Sequence, residues 1–213
     1  MKIAILGAAG DVGGRMVSEA LARGHTVTGV ARSEAQLAKL ADGVLGKKAD
    51  VWDSEALGET LAGQDVVVSA LRPREGFEED LGPLTVSAMS AAKEAGIRAL
   101  IVGGAASLRL PDGSGHTVLS APGFLPPAVE PIARACNAQY FLWMDRMGPD
   151  DSYLCPPAML TPGKRSGSYR LGSDFLLADA GGESCISMED FAVAMIDEAE
   201  NARHKGRRFT VAY

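Results

Sequence analysis

Short continuous apolar runs alternate along this chain with stretches of helical periodicity. KIAIL (2–6) reads as a strand buried on both faces of a sheet, and HTVTGVA (25–31), GVLGKKAD (43–50), DVVVSAL (65–71) and RALIVGG (98–104) read as further strands. Between them lie helical patterns. Val12, Met16, Ala20 and Leu21 recur at helical spacing, and Gly24 stops that helix after Arg23. Ser33 and Gln36 suggest a capping box for a helix running to about Leu40, and the stretches 53–63 and 80–95 end at Gly63 and Gly96. One more unit follows, a helix over 130–147 and a strand over 152–155. Met188, Phe191, Ala192, Met195, Ile196 and Ala199 then form one stripe of a capped helix over 187–199. RFTVAY (208–213) alternates like a last strand. Strand–helix alternation of this kind predicts an α/β fold, a single Rossmann-type domain over 1–213 with a doubly wound, mostly parallel sheet and helices on both faces.

Two stretches interrupt the rhythm, residues 105–128 and 156–186. Long connections inside a compact domain line sites more often than they idle, and both leave the carboxyl ends of strands, where ligands bind in open α/β sheets. They are expected to cover a substrate, with surface elaboration as the plainer alternative. The run YFLWM (140–144) is too apolar for one exposed helix face and is expected in the core, with a dimer contact as the second reading.

Composition narrows the function classes. The 213 residues are 46% hydrophobic and 23% charged, with a net charge of -6, which argues against a nucleic-acid or anionic-membrane surface. No apolar run is long enough to span a bilayer, and KIAIL gives way to glycine too soon for a signal peptide, so a cytoplasmic location is expected. Cys136, Cys155 and Cys185 fall in no metal or disulfide spacing, and no metal site is expected.

The chemistry begins at ILGAAGDVGGR (5–15), which carries Gly7-x-x-Gly10-x-x-Gly13 between a strand and a helix, with a second strand following. Alone that spacing is weak; in this context it is a dinucleotide cradle. Gly7 permits the turn, Gly10 lets a pyrophosphate approach the backbone, and Gly13 lets the helix pack on the strand. The helix-start amides then face the anion. At the end of the second strand, where an NAD-selective fold places a carboxylate, stand Arg32 and Ser33, which suit a 2′-phosphate; NADP(H) is therefore expected in preference to NAD(H). Asp11 argues against easy pyrophosphate binding unless it caps the helix or is offset by Arg15.

GAAGDVGGR with VTGVAR resembles the atypical short-chain dehydrogenase/reductases that bind NADP(H), the group that includes the NADPH-dependent flavin reductases. CPPAMLTPGKRSGSYRLGSDFLLADAGGESCISMEDFAVAMIDE, followed by RRFTVAY, resembles the bacterial NADH-flavin reductase subfamily, so the likeness covers essentially the whole chain. It implies a fold that holds NADP(H) and reduces free flavin as a substrate, not a tightly held group. It also implies pyrophosphate contacts at Gly7, Ala9, Gly10, Asp11 and Val12, and a 2′-phosphate contact at Arg32. Asp50 and Val51 would face adenine, while Ala70, Leu71 and Arg72 would line the ribose and nicotinamide side. Pro156 and Pro157 would border the nicotinamide. Asp11 departs from the group, whose members often carry a neutral polar or basic residue there.

The Tyr-x-x-x-Lys dyad of carbonyl-reducing relatives is missing: Met144, Pro157 and Ser173 stand four residues after Tyr140, Tyr153 and Tyr169. Glu130 and Arg134 read instead as a helical ion pair. Flavin reduction does not need the dyad, because orientation of two flat rings supplies most of the catalysis. No catalytic side chain is assigned. Ser107 is a candidate contact for nicotinamide or substrate, with loop capping as its alternative; His116 is a candidate proton donor, with a plain surface role as the other. The expected partner is a small flavin or quinone-like acceptor, the expected state monomer or homodimer. The competing reading is a non-catalytic NADP(H) sensor, and an epimerase is disfavoured by the missing tyrosine.

Overall fold

In the computed structural model, which describes residues 1–213, the chain forms an eight-stranded sheet with helices around it, a Rossmann-like α/β fold. The main-sheet strands of the first half are β1 (Lys2–Leu6), β2 (Thr26–Ala31), β3 (Leu45–Lys48), β4 (Val66–Ser69) and β5 (Arg98–Val102), followed by β6 (Ser152–Cys155). The chain later adds β7 (Met159–Thr161), β8 (Arg170–Gly172), β9 (Cys185–Ser187) and β10 (Arg207–Ala212). The main sheet has the order β3-β2-β1-β4-β5-β6-β10-β8, parallel throughout except at the edge pair of β10 with β8. The order reverses beside β1, and the crevice there opens at the carboxyl ends of β1 and β4.

Alternation along the strands sets the two faces. Ile3 and Ile5, with Val66 and Val68, point to the side covered by α1 (Asp11–Ala22) and α6 (Met188–Asn201). Ala4, Leu6 and Val67 point to the side covered by α3 (Ser54–Leu61), α4 (Leu81–Glu94) and α5 (Glu130–Arg146). All seven of these strand side chains are fully buried, as a sheet covered on both faces requires. The short α2 (Glu34–Leu37) packs beside β2 and β3.

Three expectations need correction. The helix after β2 stops at Leu37 instead of reaching Leu40. The Ser33 hydroxyl caps it by accepting from the Gln36 amide, but the Gln36 side chain accepts from the amide of Arg32, one residue earlier than a reciprocal box requires. The 156–186 stretch is not structureless: it carries β7 and β9, paired in parallel, and β8 on the sheet edge. The 105–128 stretch is likewise pinned, with Arg109 bridging to Thr117 and to Phe175. Of YFLWM only Trp143 is in the core, at 1% exposure; Phe141 (53%) and Met144 face outward on α5. The Glu130–Arg134 pair forms as its spacing requires.

The segment from Gly163 to Gly167 is strapped across α1 and α6 by carboxylates. Arg165 forms a two-pronged pair with Glu19 at 2.6 and 2.8 Å. Asp190, fully buried, accepts from the amides of Ser166 (2.9 Å) and Gly167 (2.7 Å), from the Ser166 hydroxyl (2.6 Å), and from the Tyr213 hydroxyl (2.7 Å). Burial works to raise the Asp190 carboxyl, and the bonds from Ser166, Tyr213 and Gly167 outweigh it, holding it below the usual aspartate range. Glu19 is lowered by the Arg165 bond, against the pull of burial, with help from Arg23. Carboxyls depressed by folding stabilise the protein above their ordinary pKa, about 4, and lose that contribution as pH falls through the folded value. The thermal midpoint is therefore expected to drop as pH is lowered below about 4. Asp190→Asn should flatten that acid limb, and an acid limb of native steepness in that variant would show that Asp190 does not hold the strap as an anion.

Candidate functional site

At the carboxyl ends of β1 to β4 a cleft is lined by residues from four strand ends and the connections that follow them: Leu6, Gly7, Ala9 and Gly10 at β1; Val30 to Arg32, with Gln36, at β2; Ala49 to Trp52 after β3; and Ala70 to Arg74 after β4, with Asp80 just before α4 and Leu84 in its first turn. Of the residues read from the sequence, it brings together Gly7, Ala9, Gly10, Arg32, Asp50, Val51, Ala70, Leu71 and Arg72.

The glycine turn is built as the spacing requires. Gly7 sits at φ +78°, and a Cβ there would come within 2.6 Å of the Ala70 carbonyl oxygen, so the turn out of β1 admits no side chain. A Cβ on Gly13 would lie 2.2 Å from the Gly7 oxygen, because α1 crosses directly over the turn. Gly10 is the N-cap of α1, and a Cβ there would meet only the Gly7 oxygen, at 3.2 Å. The first backbone bond of the helix runs from the Gly14 amide to the Gly10 oxygen at 2.8 Å. The amides of Asp11, Val12 and Gly13 thus precede the ladder and have no partner within the helix, which is the arrangement a phosphate needs. These amides open α1 directly after Gly10, which lines the cleft.

Asp11 is exposed in the first turn and caps nothing, since α1 has no side-chain cap. Arg15 does not offset it: the guanidinium donates to the Asp11 carbonyl oxygen at 2.7 Å and pairs with Glu189 at 2.6 Å. The Asp11 carboxylate therefore stands uncompensated beside the amides, against the expectation that Arg15 answers it.

At the end of β2, Arg32 is exposed and forms no ion pair, whereas Arg15, Arg23, Arg165 and Arg208 are all paired with carboxylates. No acid stands at that strand end. Ser33 lies beside Arg32 as the α2 cap, outside the cleft lining. Asp50 turns back on its own loop, its carboxylate accepting from the Trp52 amide at 3.1 Å.

The substrate-side residues are placed elsewhere. Ser107 is buried, and its hydroxyl accepts from the Arg208 guanidinium at 2.9 Å. Arg208 also pairs with Asp174 at 2.8 Å and lies 4.4 Å from the Tyr140 ring centroid, so it ties the 105–128 stretch to β10 and α5. His116 is exposed among Ser114 and Ser120. Pro156 and Pro157 follow β6 but, like Ser107, His116 and Val12, do not line the cleft.

Sequence reasoning passed over Gln36, Trp52, Pro73, Arg74, Asp80 and Leu84, all of which line the cleft. A signal existed for two of them: Trp52 directly follows Asp50–Val51, and Arg74 repeats the cation of Arg72 two residues on. Gly103 and Gly104 were passed over as well. A Cβ on Gly103 would fall 2.0 Å from the Tyr153 ring, and one on Gly104 2.6 Å from the Cys136 sulfur, so both glycines make room beneath the end of β5. Burial pushes the Cys136 thiol up to about 11 despite the nearby Arg72 charge, and the Cys155 thiol to about 12, which leaves neither as a nucleophile at neutral pH.

Residues 7–202 match the NAD(P)H-binding family. Among solved structures, a Burkholderia pseudomallei protein provisionally named as exported is 34% identical, with all of both chains covered and a TM-score of 0.89. A Bacteroides thetaiotaomicron protein provisionally named an epimerase is 36% identical over all of this chain and 96% of its own, at a TM-score of 0.88. A Streptococcus pneumoniae protein provisionally named an NADH-flavin reductase is 28% identical over all of this chain and 99% of its own, at 0.85. The three names point in different directions, so the reaction has to be argued from the site.

Proposed function

We propose that this chain, which belongs to the NAD(P)H-binding family, is an NADPH-dependent oxidoreductase that reduces a flavin or a similar planar acceptor. The observation that carries the reading is a cleft at the glycine turn in a chain whose α5 carries no tyrosine–lysine dyad. Tyr140, the one tyrosine on that helix, lies under Arg208, and Met144 stands where a lysine would lower its pKa. Gly7 and Gly10 would admit the pyrophosphate, Arg32 the 2′-phosphate, and Ala70 to Arg72 the ribose and nicotinamide. NADPH supplies a hydride, which a flavin accepts at its N5 while its ring delocalises the charge and takes a proton from solvent. The protein then needs to hold two rings in contact and little more. NADPH oxidation followed with FMN, riboflavin and small quinones tests this, with slow, tolerant turnover expected.

Ser107→Ala and His116→Ala are each expected to reduce turnover by less than about tenfold, or under about 1.4 kcal/mol. Ser107 is occupied by Arg208, and His116 lies outside the cleft lining. Elimination of activity by His116→Ala in steady-state assays would reveal a true general acid and overturn the ring-contact account.

One observation favours a second reading, a nucleotide sensor without turnover: no residue of 105–128 or 156–186 lines the cleft. Tight NADPH binding with neither flavin nor quinone reduced would establish that alternative.

A further inference from the structure

We propose that Trp52 and Arg74 clamp the adenosine end of the nucleotide, Trp52 by stacking on the base and Arg74 by sharing the 2′-phosphate with Arg32. The proposal rests on the reading that this cleft holds NADP(H), and it adds two residues that the glycine motif does not reach.

The turn carrying Trp52 is cross-tied by hydrogen bonds. Asp50 accepts from the Trp52 amide at 3.1 Å, and the Asp53 amide donates to the Asp50 carbonyl at 3.0 Å. Asp53 in turn caps α3 by accepting from the Ala56 amide at 3.0 Å, and the Ser87 hydroxyl donates to the Val51 carbonyl from α4. Despite this anchorage the indole is 52% exposed on the cleft wall, whereas Trp143, the other tryptophan, is buried. Tyr140, Trp143 and Tyr153 pack ring against ring, but no aromatic ring or cation lies against Trp52. A large apolar ring exposed to water on an anchored backbone, in a cleft also lined by Val30, Ala49, Val51 and Leu84, is a platform for another flat ring.

The charges around the platform call for an anion on that ring's sugar. Arg32, Arg72 and Arg74 line the cleft and form no ion pair, against two carboxylates, Asp50 and Asp80. Asp50 is engaged by the Trp52 amide. Arg72 and Arg74 both follow β4 into the cleft lining, and Arg74 is the one that rests on an aromatic ring. The Arg74 guanidinium rests 4.9 Å from the centroid of Phe77, an exposed ring. The nearby Glu78 carboxylate is taken by the Gly76 amide at 3.0 Å. A cation–π contact in water is weak, so a phosphate displaces it readily. A flat base bearing a nearby phosphate, the 2′-phosphorylated adenosine of NADP(H), matches both features.

The test titrates native protein, Trp52→Phe, Trp52→Ala and Arg74→Ala with NADP+ and with NAD+, reading tryptophan fluorescence and heat. Native fluorescence should be quenched by either nucleotide, and Trp52→Phe should abolish the quench. Trp52→Ala should weaken both nucleotides alike, by about fivefold or more, since base stacking on an aromatic ring is worth about 1–3 kcal/mol. Arg74→Ala should weaken NADP+ by about tenfold and leave NAD+ within about twofold. Both positions are exposed on the cleft lining, so the three variants are expected to fold. Native affinities in Trp52→Ala and Arg74→Ala would overturn the clamp while leaving the cleft reading intact. Equal losses for both nucleotides in Arg74→Ala would remove Arg74 from the 2′-phosphate. A native protein that binds neither nucleotide would overturn both.

Discussion

Gly10→Val is expected to abolish NADPH binding while leaving the chain folded. Gly10 occupies an ordinary extended conformation, φ -87° and ψ 173°, which valine adopts without strain. Its added Cβ would meet only the Gly7 carbonyl oxygen, at 3.2 Å, a contact relieved by a shift of a few tenths of an ångström. The branched side chain would instead stand between the cleft and the unpartnered amides of Asp11, Val12 and Gly13. A phosphate kept from those amides loses several charge-assisted hydrogen bonds at once, each worth about 1.5–3 kcal/mol, so affinity should fall by at least about a hundredfold. Gly13→Ala provides the contrast. There the Cβ would lie 2.2 Å from the Gly7 oxygen and 2.8 Å from its carbonyl carbon, so α1 must lift off the strand and stability itself should suffer. Calorimetry for binding, with circular dichroism for folding, separates the two effects. Native NADPH affinity in Gly10→Val would mean that the nucleotide lies elsewhere.

Arg32→Glu should have the next largest effect, reversing a native preference for NADPH over NADH of about ten- to a hundredfold. That range follows from one charge-assisted hydrogen bond to the 2′-phosphate, about 1.5–3 kcal/mol. The substitution is clean because the backbone at this position is held independently of the side chain. The Arg32 amide donates to Gln36 at 3.1 Å, and Ser33 caps the following turn. Arg32 carries no ion pair whose loss would confuse the result, so the melting temperature should stay near native. A glutamate there would repel the 2′-phosphate and could accept from the ribose hydroxyls of NADH. Equal affinities for the two nucleotides in the native protein would sink the assignment.

The uncompensated Asp11 bears on both results. A carboxylate in the first turn interacts favourably with the α1 dipole yet repels a pyrophosphate bound to the same amides. Sequence alone offered Arg15 as the remedy, because the two residues are one helical turn apart. What sequence could not reveal is that Glu189, far away in the chain, holds that guanidinium at 2.6 Å.

The apolar runs of 2–6, 65–71 and 98–104 determined a parallel sheet by themselves, and Gly7, Gly10 and Gly13 determined the turn. In each case the signal is local, since a strand buried on both faces must be apolar throughout, and a Cβ on Gly13 would lie 2.2 Å from the Gly7 oxygen, where only hydrogen fits. Arg32 was legible for the same reason, standing where a strand end fixes its place in the cleft. The positions of Ser107, Trp52 and Arg74 were not local questions. Ser107 follows β5 as a site residue would, but its hydroxyl is claimed by Arg208, 101 positions further along. Trp52 and Arg74 reach one cleft only because β3 and β4 flank the β1–β2 pair and end at the same edge. Which unpaired cation meets which exposed ring depends on contacts between distant segments, and those form only once the sheet order has been set.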